Sequence, residues 1–181
     1  MGMQKYFIGY ALREGAKQWV TDLKLQIAQA HKLAWSLQYP PHITLFHPFE
    51  TDRHEELGKT VSEVASQLHP FSIKVLQYGH FEKETWFIDV EQSDELFELK
   101  RGIVRSMESS LGIKDNDKGF ATHFHITLAH KELNLEIFSD IGELLERTPL
   151  PFEQLTIDRI SIFRKEESAY IEEKSFHLHK E

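Results

Sequence analysis

The chain has 181 residues and no cysteine, with 21 Lys plus Arg against 29 Asp plus Glu and a formal charge of −8. With 40% apolar residues it is long enough to bury a core as one domain, here taken as residues 1–181, and the missing cysteine excludes disulfides, thiolate nucleophiles and sulfur-based zinc sites. The acidic balance argues against gathering long nucleic acid by counterion release. Apolar runs such as Phe7 to Leu12 are far too short to cross a bilayer and no signal-peptide pattern opens the chain, so a cytoplasmic protein is expected.

Lys5 to Leu12 reads as a strand, followed by a helix over about Ala16 to Leu33, with Trp19, Val20, Leu23, Ile27 and Ala30 at amphipathic spacing. Pro40 and Pro41 interrupt, and His42 to Phe46 reads as a strand closed by Pro48. A second helix is expected from Arg53 to Leu68 with Asp52 as its N-cap. Phe71–Gly79 and Thr85–Glu91 alternate like a hairpin about Glu82-Lys83-Glu84. Ser93 caps a third helix whose stripe is Leu96, Leu99, Ile103, Val104 and Met107, ending near Gly112. Lys114–Gly119 is a polar loop, Phe124–Ala129 a strand and Asn134–Arg147 a helix capped by Asn134. Two strands, Leu155–Arg164 and Ala169–His177, close the chain. Helices interleaved with hairpins indicate an α+β fold with largely antiparallel sheets.

His42-Ile43-Thr44-Leu45 recurs letter for letter as His125-Ile126-Thr127-Leu128. Chance yields such a second copy in roughly a few chains per thousand of this composition, so an internal duplication is the better explanation. On a strand His and Thr at i and i+2 share a face while Ile and Leu share the other. If a pseudo-two-fold axis relates the halves, two imidazoles and two hydroxyls surround one volume. That set suits phosphodiester chemistry. Near pH 7 one ring is neutral and takes a proton while the other is protonated and gives one, and the hydroxyls donate to phosphoryl oxygens without a metal.

The two motifs resemble the paired His-x-Thr-x signatures of the 2H phosphoesterase superfamily, which includes bacterial 2′-5′ RNA ligase-like proteins and 2′,3′-cyclic-nucleotide phosphodiesterases. The resemblance implies a bilobal, pseudo-two-fold arrangement of two largely antiparallel sheets flanked by helices, with the motif strands lining a central cleft. It implies hydrolysis of a 2′,3′-cyclic phosphate, on a short RNA end or a small cyclic nucleotide, to a 2′-phosphate, with ligation as a reverse activity and no cofactor. His42 and His125 carry over as the acid-base pair and Thr44 and Thr127 as the phosphate donors. Many relatives place a basic residue, often Arg, shortly after the second motif. Here the stretch is Ala129-His130-Lys131, so His130 and Lys131 are auxiliary candidates without the fork of a guanidinium. A binding module for RNA ends or phosphorylated nucleotides, without catalysis, is the alternative from another class.

Other features carry blander readings. His31, His54, His69 and His80 read as surface or loop residues, and His47, five positions after His42, falls on the opposite face of an unbroken strand. His123 and His125, or His177 and His179, share a face, but no adjacent carboxylate at ligand spacing supports a metal site, and none is expected. Tyr6, Tyr39, Phe46, Trp86, Phe120 and Tyr170 could stack on a base, with core packing the favoured reading for each. The mixed charges at Arg164–Glu167 and Glu172–Lys174 read as solvated turns or faces.

Overall fold

The computed structural model describes residues 2–115 and 123–179; the expected loop at 116–119 and Phe120 lie outside them. Strand β1 (Gln4–Ala11) leads through helix α1 (Glu14–His31) and a 3₁₀ turn (Trp35–Gln38) to β2 (His42–Thr51) and α2 (His54–Ala65). The hairpin β3 (Phe71–Phe81) and β4 (Thr85–Val90) then leads through α3 (Asp94–Ser106) to β5 (His125–His130) and α4 (Leu135–Glu146), before β6 (Gln154–Ile157), β7 (Arg159–Glu166) and β8 (Ala169–His177). The strands form two antiparallel sheets of matching plan, ordered β2-β1-β7-β8 and β5-β4-β3-β6. The unit β1-α1-β2-α2 is repeated as β4-α3-β5-α4, each with its motif strand at a sheet edge. This is the α+β, two-lobed arrangement expected.

Each helix between the paired strands crosses to the other lobe: α1 packs on β5 and α3 on β2. The apolar side of each motif strand therefore lies in one continuous core, where Ile43 and Leu45 meet the same cluster as Ile126, Leu128, Leu23, Ile27, Leu99 and Ile103, all buried. Burying a side chain of this size contributes about 1.5–3 kcal/mol. The interleaved packing holds the two edges against each other, with β2 against β5.

Several boundaries differ from the sequence reading for local reasons. Helix α1 starts at Glu14 and stops at His31, where Lys32 turns left-handed (φ 56°) and the Leu33 N–H closes on the Ala28 carbonyl at 3.0 Å. Strand β2 runs through Pro48 to Thr51, which an edge strand tolerates because the missing N–H faces no partner. Asp52 does not cap α2: the N-cap position falls on Arg53, which makes no side-chain cap bond, and the Thr51 hydroxyl accepts the Arg53 N–H at 3.1 Å. Ser93 and Asn134 do cap α3 and α4, accepting from the Leu96 and Ile137 N–H groups at 3.3 and 2.9 Å. The single strand expected over Leu155–Arg164 breaks at Asp158: β6 joins β3 in one sheet and β7 joins β1 in the other, so this residue carries the chain between lobes. No helix among the described residues is long and apolar enough to cross a membrane.

Gly9 lies opposite Thr44, and a Cβ there would stand 2.6 Å from the Ile43 carbonyl and 3.5 Å from the His42 ring. Gly9→Ala should therefore lower stability by about 1–3 kcal/mol, the usual cost of overpacking, in urea unfolding; unchanged stability would show that β2 gives way there freely.

Candidate active site

The two motif strands share more than letters. In β2, Gly9 pairs with Thr44 and Ile8 with Phe46, leaving Leu45 as an extra residue. In β5, Phe87 pairs with Thr127 and Trp86 with Ala129, leaving Leu128 extra. Both strands thus carry a β-bulge at the motif leucine, and a bulge reverses the alternation beyond it. Burial follows: Ile43, Leu45 and Phe46 are buried while His42, Thr44 and His47 keep partial exposure, and Ile126, Leu128 and Ala129 are buried while His125, Thr127 and His130 keep theirs. His47 therefore faces the same side as His42, contrary to the unbroken-strand reading. The repeat is effectively six residues long, His-Ile-Thr-Leu-x-His, and the second histidine in each copy was its unread signal.

All six side chains, with Lys131, line one cleft of about 1170 Å³. Its walls also hold Phe7, Lys24, Trp35, Tyr39 and Phe81. The motif histidines are held alike. His42 Nδ1 lies 2.7 Å from the Pro40 carbonyl and His125 Nδ1 2.7 Å from the His123 carbonyl, in each case two residues upstream. A carbonyl only accepts, so both rings carry their proton on Nδ1 and leave Nε2 as the unprotonated nitrogen. The Thr44 hydroxyl donates to His42 Nε2 at 3.1 Å. Aromatic rings brace both: Phe7 at 4.6 Å from the His42 centroid, Phe87 and Phe81 at 4.9 and 5.2 Å from that of His125.

Burial dominates their protonation. It lowers His42 to about 3, against a raising hydrogen bond to Pro40 and with further lowering by the charges of Lys24 and His125. It lowers His125 to about 4, where the His123 carbonyl and the Asp89 carboxylate raise it and the His123 and His130 charges lower it. In the ligand-free protein both rings are therefore neutral at pH 7, which corrects the expectation of one neutral and one protonated ring. An anion in the cleft supplies the charge that lets one take a proton.

The outer histidines differ. His47 Nδ1 meets Asp115 Oδ1 at 2.9 Å, and Lys100 Nζ meets Asp115 Oδ2 at 2.6 Å. Burial alone would raise Asp115, but hydrogen bonds from His47 and Lys100 outweigh it and hold the carboxyl down at about 2. His130 Nδ1 lies 2.6 Å from the Thr85 hydroxyl and its ring meets Trp35 edge-on at 4.6 Å. Lys131 places its ammonium 4.9 Å from the Trp35 ring centroid. Glu132 Oε2 accepts the Ala34 and Trp35 N–H groups at 2.9 Å each, latching the loop after β5 to the loop before β2.

Of the aromatic candidates, Tyr39 lines the cleft. Tyr6, Phe46 and Tyr170 are core residues, and Trp86 stacks on Phe138 at 4.7 Å. Trp35, Phe81 and Lys24 escaped the sequence reading; for Lys24 the available signal was a lysine at a buried position of the α1 stripe, beside Leu23 and between Val20 and Ile27. His123 pairs with Asp89 at 2.8 Å, and no group of three metal-ligating side chains occurs among the described residues. The mixed charges near the C-terminus form specific pairs, since Arg164 bonds Glu166 and Glu173, and Glu172 accepts from both Arg13 and Ser161.

Residues 13–169 match the 2′-5′ RNA ligase superfamily. A protein of Bacillus cytotoxicus, provisionally named a phosphoesterase, is 30% identical over 146 residues, covering 78% of this chain and 80% of that one. One of Halalkalibacterium halodurans, similarly named, is 25% identical over 163 residues, covering 86% and 91%. In fold the chain is similar to a Thermus thermophilus protein (TM-score 0.64, 16% identity, 96% and 97% of the two chains). It is likewise similar to Escherichia coli LigT complexed with 3′-AMP (TM-score 0.61, 15% identity, 99% and 100%). The chain belongs to the 2′-5′ RNA ligase superfamily of 2H phosphoesterases.

Because the folded protein resists protonating these rings, the unfolded chain binds protons below about pH 6.5 that the native state refuses until about pH 4 to 3. Stability should fall as pH drops through that window, with a shallower slope in His42→Gln. The ring resonances of His42 and His125 should keep neutral positions down to about pH 5; titration of both near 6.5 would contradict the burial account.

Proposed function

We propose that this protein hydrolyses a 2′,3′-cyclic phosphate at a short RNA end or on a small nucleotide to a 2′-phosphate, with His42 and His125 as its acid-base pair. The observation that carries this reading is the convergence on one cleft of two imidazoles, each tied at Nδ1 to a carbonyl and each beside a threonine. A water attacks phosphorus in line with the departing 3′ oxygen; one imidazole takes the water proton while the other gives a proton to that oxygen as its bond to phosphorus breaks. Thr44 and Thr127 donate to the non-bridging oxygens, where negative charge builds. With a 5′-hydroxyl in place of water as the nucleophile, the same groups would open the cyclic phosphate onto that hydroxyl, one imidazole taking its proton and the other giving a proton to the departing 3′ oxygen, so a 2′-5′ joint forms with no further residue.

The pseudo-symmetry is broken in a way that separates the roles. The charge of Lys24 acts against protonation of His42, whereas Asp89 favours protonation of His125 and pairs with His123 beside it. We assign His42 as the base and His125 as the acid. Glu82 and Glu84 lie on the cleft wall and repel a continuing phosphate backbone, which favours short substrates. We further propose that the two lobes act as one unit, since neither alone holds both rings.

His42→Ala and His125→Ala should each lower turnover roughly 10²–10⁴-fold in a product-resolved assay on cyclic nucleotides and RNA ends, with near-native stability. Thr44→Val and Thr127→Val should cost about tenfold or more, and EDTA should change nothing. Retained turnover in either histidine variant contradicts the mechanism, and tight binding without product points to the non-catalytic module. The profile of kcat/KM, governed by the free protein, should rise toward acid, while that of kcat peaks nearer neutrality because bound phosphate raises the imidazoles; coincident profiles would contradict it. Affinity that climbs steeply with RNA length and falls steeply with salt would overturn the preference for short substrates.

A further inference from the structure

Two lysines sit on the buried faces of the crossing helices, and their surroundings differ. Lys100 on α3 is 8% exposed and has Asp115 as its counter-ion at 2.6 Å. Lys24 on α1 is 4% exposed and pairs with no carboxylate among the described residues. Its ammonium donates to the Tyr39 carbonyl at 2.6 Å and forms part of the cleft wall with His42 and Thr44. An ammonium offers three donors, and this one has a single acceptor among the described residues.

A buried cation without a counter-ion is costly, and that cost is relieved when an anion arrives. Burial alone lowers Lys24 to about 8, so at neutral pH the group is still mostly charged. The Tyr39 carbonyl it grips precedes Pro40, whose own carbonyl orients His42, so the ammonium is tied to the same short segment as the ring. The other lysine on the cleft wall, Lys131, rests over Trp35 instead.

We propose that the ammonium of Lys24 is the cation that receives the phosphoryl group of the substrate, reaching the cleft from α1. This rests on the phosphoesterase reading of the cleft for the identity of the ligand, but the anion site itself is testable without turnover. Lys24 is then a binding residue for the non-bridging oxygens, and His130 and Lys131 shape the cleft beyond them.

Calorimetry with inorganic phosphate and with a nucleoside 2′-monophosphate tests the site on the full chain. Lys24→Met should fold, since the position is already buried on α1 together with Val20, Leu23, Ile27 and Ala28, and should weaken both ligands at least tenfold. Lys131→Met should cost less. In turnover, the decline of wild-type kcat/KM with pH should steepen above about pH 8, and that extra steepening should be absent in Lys24→Met. In the wild-type protein, the ε-methylene resonance of Lys24 should titrate at higher pH when phosphate is added, which requires no variant. Unchanged phosphate affinity in folded Lys24→Met, a larger loss in Lys131→Met, or a lysine titration unmoved by phosphate would each overturn the proposal. If phosphate binding depends on Lys24 while the wild type turns over no cyclic phosphate, the anion site stands and the hydrolase reading fails.

Discussion

Each motif histidine gives its Nδ1 proton to a carbonyl two residues upstream, at 2.7 Å in both lobes, and the chemistry of the cleft rests on that bond. It fixes the tautomer, presents Nε2 as the reactive nitrogen, and ties ring orientation to backbone that is itself held by a sheet edge. The bulge at the motif leucine adds the other half of the constraint. It lets Leu45 and Phe46, or Leu128 and Ala129, both enter the core, and it returns the sixth residue to the cleft. Since the edges β2 and β5 are each packed by the helix of the opposite lobe, neither motif is positioned by its own half alone.

Duplication makes two equivalent histidines, and acid-base catalysis needs two different ones. The difference comes from what the halves do not share. Ala11 stands opposite His42 where Asp89 stands opposite His125, and Pro40 precedes His42 where His123 precedes His125. The first ring shares its surroundings with a lysine that has no acidic partner among the described residues, the second with a carboxylate. Burial holds both rings neutral until an anion enters, so in the proposed reaction the substrate itself brings the charge that selects which ring is protonated.

Much of this architecture could be read from the letters, because the repeated tetrapeptide places His and Thr on one face by alternation alone and the caps at Ser93 and Asn134 follow from side-chain chemistry. The misreadings have physical causes. A bulge changes the facing of every later residue without changing composition, so alternation alone puts His47 on the wrong side. The apolar pattern through Leu155–Arg164 is continuous although the chain changes sheets at Asp158. Asp52 is a good cap by residue type, but the helix begins one residue later, with Arg53 at the N-cap position. Lys24 looks like a solvated helix residue until the opposite lobe is seen to cover it.

The central claim is that two imidazoles, one from each copy of a repeated strand, act on a single phosphorus. A crystal structure with a nucleoside vanadate, which imitates the five-coordinate transition state, tests it most directly. The account predicts one metal centre in the cleft, with His42 Nε2 and His125 Nε2 each within hydrogen-bond distance of opposite apical oxygens. A vanadate held by one imidazole alone, or bound away from both, would contradict it.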